Sequence, residues 1–201
     1  IVEKIYGSEG KIKYKKEGKF YPNLLADDIM EEYNFLTTTD TQEMFYYNDG
    51  IYHPNAEELI IEECKNRFSE EISIHKTNEV IFHIKASSFV PRFKLNRGKR
   101  YINLKNGLFD LDEKVLKEFN KKKISTIVLP IVYDEFADCL KIKKFINEVV
   151  KEKDIPIIQE LFGYCLWKNY QIQKAFMFLG EGSNGKSTLL NLLKSFLGKE
   201  N

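Results

Sequence analysis

Residues 175–188 read AFMFLGEGSNGKST, and the organisation of the chain follows from them. Ala175 to Leu179 is a short, almost wholly apolar run, the composition of a strand buried on both faces of a parallel sheet. Behind it, Gly180-Glu181-Gly182-Ser183-Asn184-Gly185-Lys186-Ser187-Thr188 matches G-x-x-x-x-G-K-[ST] at every fixed position. Such a loop curls around a triphosphate with successive amide N–H groups turned inward. Gly180, Gly182 and Gly185 suit the positive φ values and close approach that this needs. Lys186 is placed to reach the β- and γ-phosphates and is the candidate catalytic residue; Ser187 offers its hydroxyl to Mg²⁺, and Thr188 adds a phosphate contact. The expected ligands are ATP, or a similar nucleoside triphosphate, and Mg²⁺. The alternative is a chance glycine-rich turn, which should arise on the order of once per hundred chains of this length. The apolar run before the loop and STLLNLLKSFL after it, an amphipathic helix with Gly198 as its stop, make chance rarer still.

Upstream, IPIIQELFGYCLWKN (residues 155–169) and KIKKFINEVV (141–150) have helical periodicity, with Pro156 suited to a first helical turn. Phe162, Tyr164 and Trp167 then read as the core face of the helix nearest the loop. STIVLPIVYD (125–134) is a β-rich run interrupted by Pro130. YINLKNGLFDL (101–111) reads as a hairpin around Asn106-Gly107, and MFYYNDGIYHP (44–54) as another around Asn48-Asp49-Gly50. Three further helices are expected: Tyr21 to Asn34; the stretch from Ala56 to Ile72, capped by Asn55; and one capped by Thr77 that ends before Pro91.

Composition sets broad bounds. The chain has 201 residues, 43% hydrophobic and 30% charged, which suits a folded chain of one domain and part of another. A net charge of +1 means that any polyanion-binding surface must come from local clustering. Cys64, Cys139 and Cys165 are odd in number and widely spaced, which argues against a disulfide framework or zinc site and for an intracellular, cytoplasmic location. No run approaches the roughly 18 apolar residues of a membrane span. The chain opens on Ile1 and stops just after the expected loop helix, so it reads as an excised piece.

The segments Pro130-Ile131-Val132-Tyr133-Asp134, Ala137-Asp138-Cys139, Glu160-Leu161-Phe162-Gly163-Tyr164 and Phe178 to Ser187, with Asn184 before Gly185-Lys186, resemble phage, plasmid and poxvirus-type primase-helicases of superfamily III. The stretch from Tyr101 to Leu111 resembles the hairpin of the domain preceding their helicase core. That resemblance implies an AAA+-like ATPase that assembles as a ring, usually a hexamer, around DNA and unwinds it. It also implies a Walker B element, a sensor and an arginine finger beyond the fewer than twenty residues that follow Lys186. The piece alone is expected to be inactive in ATP hydrolysis.

Several weaker signals keep two readings each. Arg92, Lys94, Arg97, Lys99 and Arg100 put five cations in nine residues, with Phe93 and Tyr101 nearby; this is either a contact for single-stranded DNA or a solvated loop. Lys141, Lys143 and Lys144 form a second cluster, or a solvated helix face. Asp110 and Asp112 share one strand face, as a metal-dependent nucleotidyl transferase requires, but acidic residues beside a hairpin also form turns. His53, His75 and His83 lack companions and read as structural.

The expected fold is α+β. A domain of helices and small hairpins occupies residues 1–140, a helical linker 141–172, and the first strand, loop and helix of an α/β ATPase core 173–201. The expected function is that of a fragment of an ATP-dependent replicative DNA helicase that self-associates into a ring on DNA. The alternatives are a non-catalytic DNA-binding and oligomerisation module, and a small P-loop kinase, whose loop would normally open its domain.

Overall fold

A computed structural model describes residues 14–16, 19–68, 72–168 and 171–198. The chain divides into two compact units, residues 1–95 and 96–201, each a mixture of helices and small sheets.

In the first unit a short ribbon, β1 (Lys15–Lys16) and β2 (Lys19–Phe20), leads into helix α1 (Pro22–Glu32). Pro22 opens the helix, where its missing N–H costs nothing and its fixed φ is already helical. Strands β3 (Phe35–Thr38), β4 (Met44–Asn48) and β5 (Ile51–His53) form an antiparallel meander. The β4–β5 turn is Asp49-Gly50 with φ of 46° and 86°, the left-handed pair expected of an Asp-Gly turn. Helices α2 (Ala56–Phe68) and α3 (Ile74–Ser87) follow, and β6 (Phe89–Val90) returns to pair parallel with β3, so the sheet order is β5-β4-β3-β6. The stretch 69–71, into which the reading of α2 extends, lies outside the described residues.

The core of this unit is where the three helices meet. Leu24, Leu25, Ala26 and Ile29 of α1 pack with Ile60 and Cys64 of α2 and Val80, Ile81 and Ile84 of α3, the three- and four-residue spacings that put side chains on one helix face. Above it, Arg67 bonds Asp28 at 2.6 Å, Glu32 at 2.5 Å and Glu63 at 2.8 Å, while Tyr14 donates to Asp28 at 2.6 Å. Two expectations change. Ser73, not Thr77, caps α3: its hydroxyl oxygen accepts from the Lys76 amide, and Thr77, buried one turn in, donates to the Ser73 carbonyl. A Ser and a Thr four residues apart compete for the same role, and the one outside the helix takes it. Helix α3 also stops at Ser87, leaving Phe89–Val90 extended ahead of Pro91.

In the second unit, β7 (Tyr101–Leu104), β8 (Gly107–Asp110) and β9 (Val115–Lys117) form a three-stranded antiparallel sheet. Leu104 pairs with Gly107, so the tight turn is Lys105-Asn106 and Gly107 begins β8. Glycine is needed there because a Cβ would lie 2.5 Å from the Lys117 carbonyl oxygen of β9. The run 125–134 is not a regular strand. It touches β7 through one parallel bridge, Leu104 to Leu129, and the β7–β8 turn through Asn106, whose side chain bonds both the N–H and the C=O of Tyr133 at 2.9 Å. Pro130 lacks the N–H that a continuous ladder would use. Ile102, Leu104 and Leu129 form the core of this layer, flanked by Phe109, Leu116, Ile131 and Leu166.

Three more helices complete the unit: α4 (Leu140–Val149), α5 (Ile155–Leu166) and α6 (Lys186–Leu197). Pro156 sits in the first turn of α5 as expected, and Gly198 ends α6 with φ of 89°. Ile158 and Leu161 are the buried residues of α5. Phe162 and Tyr164 are half-buried and Trp167 is exposed, so they flank that core face rather than form it. Asn169 lies outside the described residues. Among the described residues no helix is long and apolar enough to cross a membrane.

Candidate functional site

The loop at residues 180–185 is held from three sides. Helix α6 begins directly after it, and the first helical bond runs from the Leu189 amide to the Gly185 carbonyl at 2.9 Å. The amides of Lys186, Ser187 and Thr188 therefore precede the helical ladder, at the positive end of the helix dipole. The Lys186 ammonium turns back into the loop, donating to the carbonyls of Gly180 at 2.8 Å and Glu181 at 2.9 Å and to Asn184 Oδ1 at 2.6 Å. Ser187 and Thr188 are exposed on the first turn.

The three loop glycines do different things. Gly185 has φ of 82°, and a Cβ on it would come within 2.8 Å of Val149 Cγ1 of α4. Gly180 makes room for the loop's own side chain: a Cβ there would sit 2.0 Å from Asn184 Nδ2. Gly182 has open space around it, and the second left-handed residue is Ser183, with φ of 58°. Gly180 and Gly185 thus occupy positions where a side chain would clash with the chain itself, and Gly182 does not. Beside the loop lies a cleft of about 370 Å³, walled by Val149, Ile157, Ile158, Phe178 and Leu189 and reached by Lys186.

Amides at a helix start, an ammonium and a hydroxyl are the donors that suit a triphosphate and its cation, so the residues present fit such a ligand. The preceding strand is a correction. Residues 171–180 have no regular structure, and Met177 and Leu179 are 80% and 83% exposed. A strand needs a neighbour to satisfy its N–H and C=O groups, and among the described residues none lies alongside.

The basic stretch 92–100 straddles the boundary between the units, so it is two local environments rather than one. Arg92 opens a 3₁₀ turn with Lys94 and is drawn to Glu43 at 3.6 Å and Asp40 at 3.9 Å. In the second unit Arg97 and Lys99 are exposed, whereas Arg100 is committed: it bonds Asp110 at 2.7 Å, Glu113 at 2.5 Å and Asp112 at 3.4 Å. On α4, Lys143 pairs with Asp138 at 2.5 Å and Lys144 approaches Glu148 at 3.9 Å.

Asp110 is a structural acid. Its carboxylate is fully buried and accepts from Arg100, from Lys117 at 2.7 Å and from the amides of Asp112 and Glu113. The Arg100 guanidinium, more than any other neighbour, holds the carboxyl well below the usual carboxylate range against the opposing effect of burial; Lys117 and the two amides add to this. Saturated in this way, it has no oxygen left for a metal, and among the described residues no group of three or more His, Cys, Asp and Glu side chains is placed to hold one. His53 contacts the Asn48 carbonyl at 3.2 Å and His75 contacts Glu79 at 3.6 Å.

Fold and loop together define a mixed α+β protein whose second unit carries a glycine-rich loop at the start of a helix. Residues 4–151 match the family model described as "D5 N terminal like", and the chain belongs to that family. The match ends ahead of the loop. The chain is also similar to a protein of Acanthamoeba polyphaga mimivirus named "Putative helicase L207/L206", with 26% identity over 154 residues. The similarity covers 68% of this chain and 16% of that protein, so the chain spans about a sixth of the viral relative's length.

Proposed function

We propose that the chain is part of a replicative DNA helicase of the primase-helicase type. Its Gly180–Thr188 loop binds a nucleoside triphosphate with Mg²⁺, and the full-length protein unwinds DNA inside the cell as an oligomeric ring. The observation that carries this reading is the enclosure of the Lys186 ammonium by its own glycine-rich loop at the start of α6. Membership of the D5 N terminal like family just upstream, and similarity to a viral protein named as a helicase, support it.

In this reading Lys186 exchanges the Gly180 and Glu181 carbonyls for phosphate oxygens, the amides at the start of α6 supply further donors, and Thr188 adds a contact. The Ser187 hydroxyl would hold the cation, and bound Mg²⁺ would neutralise charge on the phosphates. The cleft that Lys186 reaches has apolar walls in Val149, Ile157, Ile158, Phe178 and Leu189. The AAA+ core and its sheet are proposed for the full-length protein, where segment 175–179 would find neighbouring strands; the chain by itself is proposed to be inactive in hydrolysis.

ATPase activity of the full-length protein, with and without single-stranded DNA, tests the assignment beside a Lys186→Ala variant. DNA-stimulated turnover that disappears in the variant is expected. Turnover independent of Lys186, or none, would leave the second reading, a DNA-binding and assembly module carrying a silent loop. The absence of a strand at residues 171–180 favours that reading for this chain on its own.

A further inference from the structure

The second unit brings together two basic segments that lie more than twenty residues apart in sequence. The hinge is Asn96, whose φ of 56° is a left-handed value that asparagine adopts more readily than most residues. Its amide donates to the Ile124 carbonyl at 3.0 Å, its Nδ2 to Thr126 Oγ1 at 2.9 Å, and its Oδ1 accepts from the Thr126 amide at 2.8 Å and the Ser125 hydroxyl at 3.1 Å. Ser125 is buried, so this knot is a fixed part of the unit. A second tie lies beside it: the Lys123 ammonium is 4.6 Å from the centre of the Tyr101 ring, with the Arg100 guanidinium at 5.5 Å.

The segment that carries Arg97 and Lys99 is thereby tied to the one that follows Lys121, Lys122 and Lys123, and all five side chains are exposed. Neither residues 96–109 nor residues 119–133 contain an Asp or a Glu, although the chain has 30 acidic residues among 201. Asp110, Asp112 and Glu113, which follow the first segment, are turned onto Arg100, while Glu118 and Asp134 flank the second segment on either side. In a chain of net charge +1, positive charge is concentrated here while the remainder is net acidic.

We propose that Arg97, Lys99, Lys121, Lys122 and Lys123 form one composite site for the phosphodiester backbone of single-stranded DNA, with Asn96 and Tyr101 as its positioning residues. Exposed cations that meet the phosphates rather than the bases would give sequence-independent, salt-sensitive binding. This deepens the DNA-binding part of the function proposed above and rests on it. It also moves the contact away from Arg92 and Arg100, whose charges are turned onto carboxylates of their own units.

The test is binding of a labelled oligodeoxythymidylate to the whole chain without nucleotide, across a salt series. The triple variant Lys121→Gln/Lys122→Gln/Lys123→Gln is compared with Lys141→Gln/Lys144→Gln/Lys153→Gln, which removes the same charge elsewhere. We expect the first to weaken binding at least tenfold and to lower the salt slope by about 2, from roughly 0.7 per phosphate contact on a single strand. The control should change affinity less than twofold, and Lys121→Arg/Lys122→Arg/Lys123→Arg should bind as wild type. Asn96→Ala, which keeps every charge but unties the segments, should lose affinity while its melting still shows a folded unit. Equal losses in both glutamine triples, an unaltered slope in the first, or stronger competition by tripolyphosphate than by oligonucleotide at equal phosphate would overturn the proposal. Nucleotide plays no part in this assay, so a failed patch leaves the Lys186 test standing, and a failed motor leaves the patch measurable.

Discussion

Lys186 Nζ lies 2.6 Å from Asn184 Oδ1, a side chain at a position that the G-x-x-x-x-G-K-[ST] pattern leaves open. The asparagine joins the two loop carbonyls as the third acceptor of the ammonium's three N–H groups, and it fits there because Gly180 has no Cβ in its path. Gly180 and Asn184 thus work as a pair that sets where the lysine rests before any anion arrives.

The glycines of the loop should therefore differ under substitution. Gly180→Ala forces Asn184 aside and should weaken binding of a fluorescent nucleotide analogue by about tenfold or more, whereas Gly182→Ala, with open space around it, should change affinity less than twofold. Equal effects at the two positions would contradict the geometry. Gly185→Ala meets both a positive φ and Val149, so it should also lower the melting temperature of the second unit.

Asp110 should make the second unit sensitive to acid. Its folded pKa is depressed, chiefly by Arg100, so its contribution to stability is fully present well above its ordinary value of 3.8 and fades as pH falls below that toward the depressed folded value. Melting temperature followed from pH 7 to pH 3 should drop more steeply in the wild type than in Asp110→Asn, which should already melt lower at pH 7, by on the order of 5 °C or more. Parallel curves would show that the clamp adds nothing.

In the first unit, Leu25 is fully buried where the three helices meet. Leu25→Ala should cost about 2–5 kcal/mol in denaturant unfolding, the range for a buried leucine that leaves a cavity. A loss under 1 kcal/mol would mean that the helices close over the gap.

The three thiols should separate by reactivity. Cys64 is buried and burial pushes its thiol up to about 11, so a thiol reagent at pH 8 should reach Cys139 and Cys165 in the native chain and Cys64 only after unfolding. Burial also raises Cys165, which should therefore react more slowly than Cys139. Rapid modification of all three would overturn the packing described around Cys64.

Much of this was legible in the sequence, for local reasons. Leu24, Leu25 and Ile29 announce α1 by spacing, Asp49-Gly50 announces its hairpin by turn chemistry, and Gly180 to Thr188 announces a loop and helix by pattern. What was missed depends on distant partners. Strands β6 and β9 are two and three residues long, too short for any periodicity, and exist because β3 and β8 lie beside them. The opposite error occurs at 175–179, where composition suits a buried strand but no described strand is there to pair with it. Lys121 to Lys123 drew no functional reading, because nothing in a linear reading says that Asn96 binds the segment that follows them.

The parallel pairing of β6 with β3 bears on the order in which the first unit is made. Thr37 and Ser88 share a hydrogen bond across 51 residues, so the edge of β3 that receives Phe89 and Val90 is uncovered through the synthesis of α2 and α3. A nascent chain whose meander has folded ahead of Phe89 and Val90 carries β3 as an unpaired edge in addition to β5, a state open to pairing with a neighbouring chain. Release of the few residues past Pro91 covers the β3 edge with β6, a strand of two residues that leaves little edge of its own.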